Sequence, residues 1–216
     1  MPRPSRWNEL LQAAAEEFRA VGYENATLEG VSRRVGITKG SLYHYIDTKD
    51  ELLWAVIDAP ARELIERLEE LTTARRGPVA VRLRELFRLQ VRIFAEHHPA
   101  AFVYLAQIGR PDQPEAIAQL ERRYVAAVES LVAEGAERGE FALATSPAVA
   151  ARAVIGMLDW MMHWYDPDGT TPPEVLADEL FAIAVGGLVT GAQISALLPD
   201  HLEDPEPADG DTTDAP

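Results

Sequence analysis

Thr38, Lys39, Ser41, Tyr43, His44 and Lys49 crowd one short stretch of the chain, with Thr27 just ahead of them. Hydroxyls and ammonium groups bond phosphate oxygens or base edges, and a small residue such as Gly40 lets the backbone come close to a ligand. The chemistry on offer is non-covalent recognition of a polyanion, double-stranded DNA above all. Bond-breaking chemistry has no comparable constellation. The chain contains no Cys, which removes disulfides, thiolate metal sites and cysteine nucleophiles. A Glu-x-x-His pair, a His-Glu-x-x-His motif, a Gly-rich phosphate loop and a Gly-x-Ser-x-Gly elbow are all absent from the sequence. No catalytic residue, metal or cofactor is expected. His97-His98, just before Pro99, reads as a helix-end pair that caps carbonyls rather than as metal ligands.

These residues need helices to hold them. Trp7, Leu10, Leu11, Ala14, Phe18 and Val21 recur at threes and fours and predict a first helix ended by Gly22. Thr27 is placed as the N-cap of a short second helix, Leu28–Val35, which Gly36 breaks. A third short helix is predicted over about Lys39–Tyr45. Val31, Val35, Ile37, Leu42 and Ile46 can pack this pair together, with Phe18, Leu52 and Val56 as outside support. The outer face then keeps the polar and aromatic set, and the free N–H groups at the helix start favour phosphate. Thr48-Lys49-Asp50-Glu51 has capping-box order and opens a fourth helix, which Pro60 is expected to kink or interrupt. Spacing alone leaves two readings open, a DNA-binding helix pair or a plain helical hairpin.

Charge is distributed unevenly. The net charge is −15, yet residues 1–50 hold seven Lys/Arg and seven Asp/Glu, so the excess of acid lies beyond them. Within 31–49, Arg33, Arg34, Lys39 and Lys49 stand against only Asp47, so an acidic body repels DNA and leaves one small, locally basic face able to approach it. The 216 residues are 47% hydrophobic, enough for a sizeable core, and no run of 18 apolar residues suggests a membrane span. A cytoplasmic protein that contacts no membrane is the expectation.

GITKGSLYHYIDTKDELL resembles the DNA-binding signature of the TetR family of bacterial repressors, and FRAVGYENATLEGVSRR resembles that family's approach to it. The likeness spans about residues 6–56. It implies an all-α protein: an N-terminal three-helix helix-turn-helix domain, residues 1–48, and a larger helical effector-binding and dimerisation domain, residues 49–198. It also implies that Thr27, Thr38, Lys39, Ser41, Tyr43, His44 and Lys49 contact operator DNA, and that a small-molecule effector relieves repression by a homodimer. Ile46 departs from the aromatic residue common there, and Gly30 is an unusual residue inside the second helix. A helical-bundle enzyme and a nonspecific DNA-binding or adaptor protein are the alternatives from other classes.

Further helices are predicted near 61–75, 78–97, 100–108 and 113–138, then from Ser146-Pro147 to about Trp164, and from Thr171 to about Leu198. The segment 147–164 is apolar most of the way round and so must be buried on several faces. Phe87, Phe102, Tyr104, Tyr124, Met157, Trp160, Met161 and Trp164 are candidates to line a ligand pocket, although such a stripe is more often plain core. Leu180, Ala184, Gly187, Gly191, Ile194 and Leu198 on the last helix are expected to form a dimer interface together with the 147–164 helix, intrachain packing being the alternative. The corner Trp164–Gly169 resembles one in TetR-type regulators of lipid and steroid catabolism, which implies a bulky, largely apolar effector such as an acyl-CoA thioester. Arg82, Arg84, Arg88, Arg92, Arg122 and Arg123 are available for its phosphates, or are solvated helix faces. The stretch 199–216 holds seven acidic residues, four Pro and no Lys or Arg, and is read as a disordered acidic tail.

Overall fold

The computed structural model describes residues 6–73, 77–107, 113 and 115–189, without the side chains of 116 and 187–189. The expected tail and positions Gly191, Ile194 and Leu198 lie outside them. Nine helices and no strand occur among the described residues: α1 (Arg6–Val21), α2 (Leu28–Val35), α3 (Lys39–Leu42), α4 (Lys49–Thr73), α5 (Val79–Glu96), α6 (Ala100–Leu105), α7 (Glu115–Glu137), α8 (Pro147–Trp160) and α9 (Pro173–Val189). A 3-10 turn, Met161–His163, extends α8.

The helix boundaries follow local chemistry. Thr27 accepts from the Gly30 amide at 3.0 Å, which satisfies one of the free N–H groups of α2. Gly36 then turns the chain at φ 72°, a left-handed conformation that glycine adopts without a Cβ clash. At α4 the capping box forms as its spacing predicts. Glu51 N–H donates to Thr48 Oγ1 at 3.1 Å, and the Glu51 carboxylate accepts from the amides of Asp47 (2.9 Å) and Thr48 (3.3 Å). Ser146 caps α8 in the same manner, accepting from Val149 N–H.

Two expectations change. The third helix is one turn, ending at Leu42, and Tyr43–Tyr45 continue as a hydrogen-bonded turn in which Tyr43, His44 and Tyr45 donate to the carbonyls of Lys39, Ser41 and Leu42. Pro60 does not interrupt α4. The helix runs through it, and the buried Pro60 ring packs into the core although proline offers no N–H to the preceding turn.

Packing joins α1, α2, α3 and the first half of α4 around Leu10, Phe18, Val31, Leu42, Leu52 and Leu53. The second half of α4 packs against α5, α6 and α7, α7 pairs with α8, and α9 lies along α5. Buried side chains of both halves form one contiguous cluster. Gly30 sits where α2 crosses α1: a Cβ there would come within 2.2 Å of the Glu17 carboxylate, which holds Arg34 at 2.6 Å. The glycine that looked costly inside a helix makes room for that ion pair.

Candidate nucleic-acid interface and effector cavity

Thr38, Lys39, Gly40, Tyr43, His44 and Tyr45 are exposed on one surface, with Ser41 half-buried beside them. Thr38 does two jobs. Its Oγ1 caps α3 by accepting from Ser41 N–H at 3.1 Å and lies 2.9 Å from Ser41 Oγ. Capping orders both hydroxyls before any ligand arrives. Lys39 Nζ lies 6.0 Å from the centre of the Tyr43 ring, and Tyr45 stacks on Trp7 of α1 at 6.4 Å between ring centres. Because Val31 and Leu42 are fully buried behind this surface, its orientation is set by the core. Among the residues expected to touch DNA, Thr27 sits apart as the α2 cap.

Lys49 has a different partner set from the phosphate expected of it. Its Nζ donates to the backbone carbonyls of Tyr23 (2.8 Å), Glu24 (3.2 Å) and Ala26 (3.1 Å), and lies 4.3 Å from the centre of the Tyr23 ring. An ammonium has three N–H donors, and all three are used. Tyr23 OH in turn donates to Asp50. Lys49 thus ties the loop after α1 to the start of α4.

The larger domain encloses a cavity of about 110 Å³ lined from five helices: Leu64 (α4), Gln90 (α5), Tyr104 and Leu105 (α6), Glu121, Tyr124 and Val125 (α7), and Ile155 and Asp159 (α8). An apolar recess bounded by Pro60, Ile93, Phe94, Ala101 and Met161 shares Leu64, Gln90, Tyr104 and Leu105 with it. Three of the eight expected pocket residues therefore line this space: Tyr104, Tyr124 and Met161. Phe87 is fully buried but meets Phe181 of α9 edge-on, 5.7 Å between centres. Phe102 and Met157 are half-buried at the core margin. Trp160 and Trp164 face outward, 61% and 52% exposed.

Apart from Tyr104 and Tyr124, the polar wall of the cavity escaped sequence reasoning. Gln90 Nε2 donates to Asp159 Oδ1 at 3.0 Å, and Tyr124 OH donates to Gln90 Oε1. Gln113 Nε2 donates to Glu121 Oε2 at 3.1 Å, while the buried Glu121 Oε1 has no partner among the described residues. Burial pushes the Asp159 carboxyl up to about 6, and neighbouring Glu121 adds to the rise against the Gln90 hydrogen bond. Burial first, then Glu121 and Asp159, raises the Tyr104 phenol. One signal was available: Gln90 falls between Leu89 and Val91, apolar residues that both turn out to be buried.

Most of the arginines offered for an anion are already paired. Arg84 and Arg88 both clasp Asp178 of α9 through two N–H donors each, at 2.6–2.9 Å, and their hydrogen bonds hold the Asp178 carboxyl far below the usual carboxylate range. Arg82 pairs with Glu134, Arg122 with Glu115 and Arg123 with Glu69. Leu180 and Ala184 are buried within the chain, on a helix packed along α5. The exposed apolar surface lies elsewhere: Val149, Ala153, Gly156 and Trp160 follow one face of α8, and Val175 and Ile183 stand out from α9. Gly187 lies in α9 among the residues whose side chains are not described.

One group has ligand types within metal reach, Glu63, Glu96 and His97, whose donor atoms lie within 4.8 Å of one another. His97 Nε2 is 2.9 Å from Glu63, and its backbone N–H donates to Ile93 O at the end of α5. Among the described residues no helix is long and apolar enough to cross a membrane.

Comparison with known proteins adds the following. Residues 10–56 match the family of bacterial regulatory proteins of the tetR type, and residues 76–188 match the Tetracyclin repressor-like C-terminal domain. The HTH-type transcriptional repressor KstR2 of Mycobacterium tuberculosis is 24% identical over 187 residues, covering 85% of this chain and 93% of that repressor. The crystal structure of the TetR-family regulator PfmR from Thermus thermophilus superposes with a TM-score of 0.72 at 26% identity, over 83% of this chain and 98% of that one. AibR, solved with isovaleryl coenzyme A and operator DNA, superposes with a TM-score of 0.69 at 22% identity, over 84% of this chain and 98% of that one.

Proposed function

The chain belongs to the TetR family of bacterial transcriptional regulators, and from that premise we propose that it is a homodimeric repressor whose operator is released when a small, largely apolar effector fills the cavity between α4 and α8. The observation that carries the reading is the exposed set Thr38, Lys39, Ser41, Tyr43 and His44, held on a core-anchored turn of helix. Two such surfaces in a dimer would meet successive major grooves about 34 Å apart. Coupling runs through α4. Pro60 and Leu64 border the effector space, while Leu52, Leu53, Val56 and Ile57 of the same helix belong to the buried core. A ligand that wedges α4 outward changes the separation of the two DNA-binding surfaces, provided that it favours that geometry by a free-energy difference. The isovaleryl coenzyme A bound to AibR supports an acyl-CoA thioester as the effector class. The apolar walls Leu64, Leu105, Val125 and Ile155 suit the acyl part.

The test is titration of DNA from upstream of the protein's own gene, with scrambled DNA as control, at physiological salt. Discrimination of about a thousandfold or more is expected for a specific operator. Tyr43→Ala should weaken operator binding about tenfold, the scale of a lost specific contact, and leave the melting temperature unchanged. Release of the same probe by one acyl-CoA would name the effector. Equal, salt-sensitive binding to both DNAs would sink the operator reading in favour of a nonspecific binder.

The exposed α8 residues Val149, Ala153, Gly156 and Trp160, with Ile183 of α9, are the proposed dimer face, because exposed apolar surface seeks a partner. Trp160→Glu is expected to shift the protein to monomer in sedimentation at micromolar concentration and to weaken operator binding about tenfold, since one recognition surface then acts alone. A variant that stays dimeric would move the interface elsewhere.

A further inference from the structure

Cavities that receive wholly apolar ligands are lined by apolar atoms, with the few polar groups satisfied. This cavity departs from that pattern on one side. Asp159, Glu121, Tyr104, Tyr124 and Gln90 converge there from α5, α6, α7 and α8. Gln90 satisfies one oxygen of Asp159 and is itself engaged by Tyr124. Asp159 Oδ2 and the Tyr104 hydroxyl have no hydrogen-bond partner among the described residues, and Glu121 Oε1 is buried without one. Among the described residues no Lys, Arg or His lines the space. The wall thus offers two carboxylates with unused lone pairs and, among the described residues, no counter-charge.

We infer that the effector brings a hydrogen-bond donor, a hydroxyl or an ammonium, to the Asp159–Glu121 wall, and that a ligand with a carboxylate at that end is rejected. The inference rests on the reading of this cavity as the effector site. An unpaired acceptor away from water costs free energy that a donor on the ligand recovers. A carboxylate placed there faces like charge in a water-poor space, which disfavours it strongly. The discrimination therefore comes as much from exclusion of the wrong end-group as from contact with the right one. The same wall keeps phosphates out. A thioester effector would insert only its acyl part, and an acyl group bearing a hydroxyl would fit better than the unsubstituted one.

Three probes of one chain length separate these chemistries: hexan-1-ol, hexylamine and hexanoate, titrated into the full chain at about pH 7.5 by ligand-observed NMR. Hexanol and hexylamine are expected to bind at least about tenfold more tightly than hexanoate, the scale of one mismatched polar contact. Asp159→Asn keeps the size of the side chain and its Oδ1 acceptor. It should weaken hexylamine about tenfold, change hexanol little and improve hexanoate, collapsing the discrimination. Hexanoate binding as tightly as hexanol, an unchanged order in Asp159→Asn, or no binding by any of the three would overturn the inference. Operator release measured beside each titration separates it from the reading beneath it. Saturating hexanol or hexylamine with the operator still bound would leave the cavity chemistry intact and remove the effector assignment. Release by an unsubstituted acyl-CoA, with hexanoate binding as well as hexanol, would do the reverse.

Discussion

Lys49→Met should lower the melting temperature by roughly 5–15 °C, the consequence of about 2–4 kcal/mol lost with three charge-assisted hydrogen bonds. The carbonyls of Tyr23, Glu24 and Ala26 point at one ammonium because the loop after α1 curls over the start of α4. Without that ammonium the three oxygens lose their common donor. The Tyr23 ring, which packs edge-on against Phe18 at 5.4 Å, also loses the cation at its face. Methionine keeps the length and apolar stem of lysine, so packing is largely preserved and the charge-assisted bonds are what changes. Lys39→Met is the contrast. Lys39 is exposed and makes no ion pair among the described residues, so its loss should leave melting unchanged, weaken operator binding about tenfold and reduce the salt dependence by about one ion. If Lys49→Met instead melts like the parent and shows that same salt signature, Lys49 is a phosphate contact and the clamp is incidental.

Asp159→Asn should stabilise the protein by about 1–3 kcal/mol at about pH 7.5, an unusual gain for a change at a buried polar site. Burial lifts the carboxyl from an ordinary 3.8 to about 6 in the folded chain. Between those two values the folded protein holds a proton that the unfolded chain has released. Stability from this group is therefore highest at low pH, falls as pH rises from near 4 through about 6, and stays low above that. Asparagine mimics the protonated acid and escapes the penalty while still accepting from Gln90 Nε2. Urea unfolding of parent and variant at about pH 7.5 and about pH 4.5 checks this. The gap should narrow markedly at the lower pH. An equal gap at both would show that desolvation of the charge is not its origin. The ionised carboxylate costs folding stability, which fits the proposal that Asp159 is kept for what it binds.

The DNA-binding half was legible because its signals are local. Thr27, Gly36 and Thr48 with Glu51 act on residues three or four positions away, and each does what its spacing predicts; Ser146 does the same for α8 in the other half. The role of Lys49 was not legible, since its acceptors lie 23 to 26 residues upstream and are backbone atoms that carry no sequence signature. The α8 segment illustrates a different limit. Its apolar residues occur on several faces, and periodicity cannot say which face meets the protein's own core. Leu158 and Met161 go inside, whereas Trp160 goes out. On α9 the sequence pattern picked out Leu180 and Ala184, which pack inward on a helix that Phe87–Phe181 and the Arg84–Asp178–Arg88 clasp fasten to α5; Ile183 is left exposed. The polar wall of the cavity was the least visible feature. Gln90, Glu121 and Asp159 come from three helices, and each taken singly looks like one more polar residue on an amphipathic face.

The unbroken run of α4 limits how this protein can be taken apart and recombined. Its 25 residues serve the packing of both halves, so no flexible joint marks where one ends and the other begins. A chimera that grafts this helix-turn-helix domain onto another regulator must splice inside a helix and keep its phase. One residue added or removed near Pro60 would rotate everything upstream by about 100° around the helix axis and shift it by about 1.5 Å. On the proposed dimeric reading, the spacing between half-sites would thus depend on the length of one helix, far from the surface proposed to meet DNA.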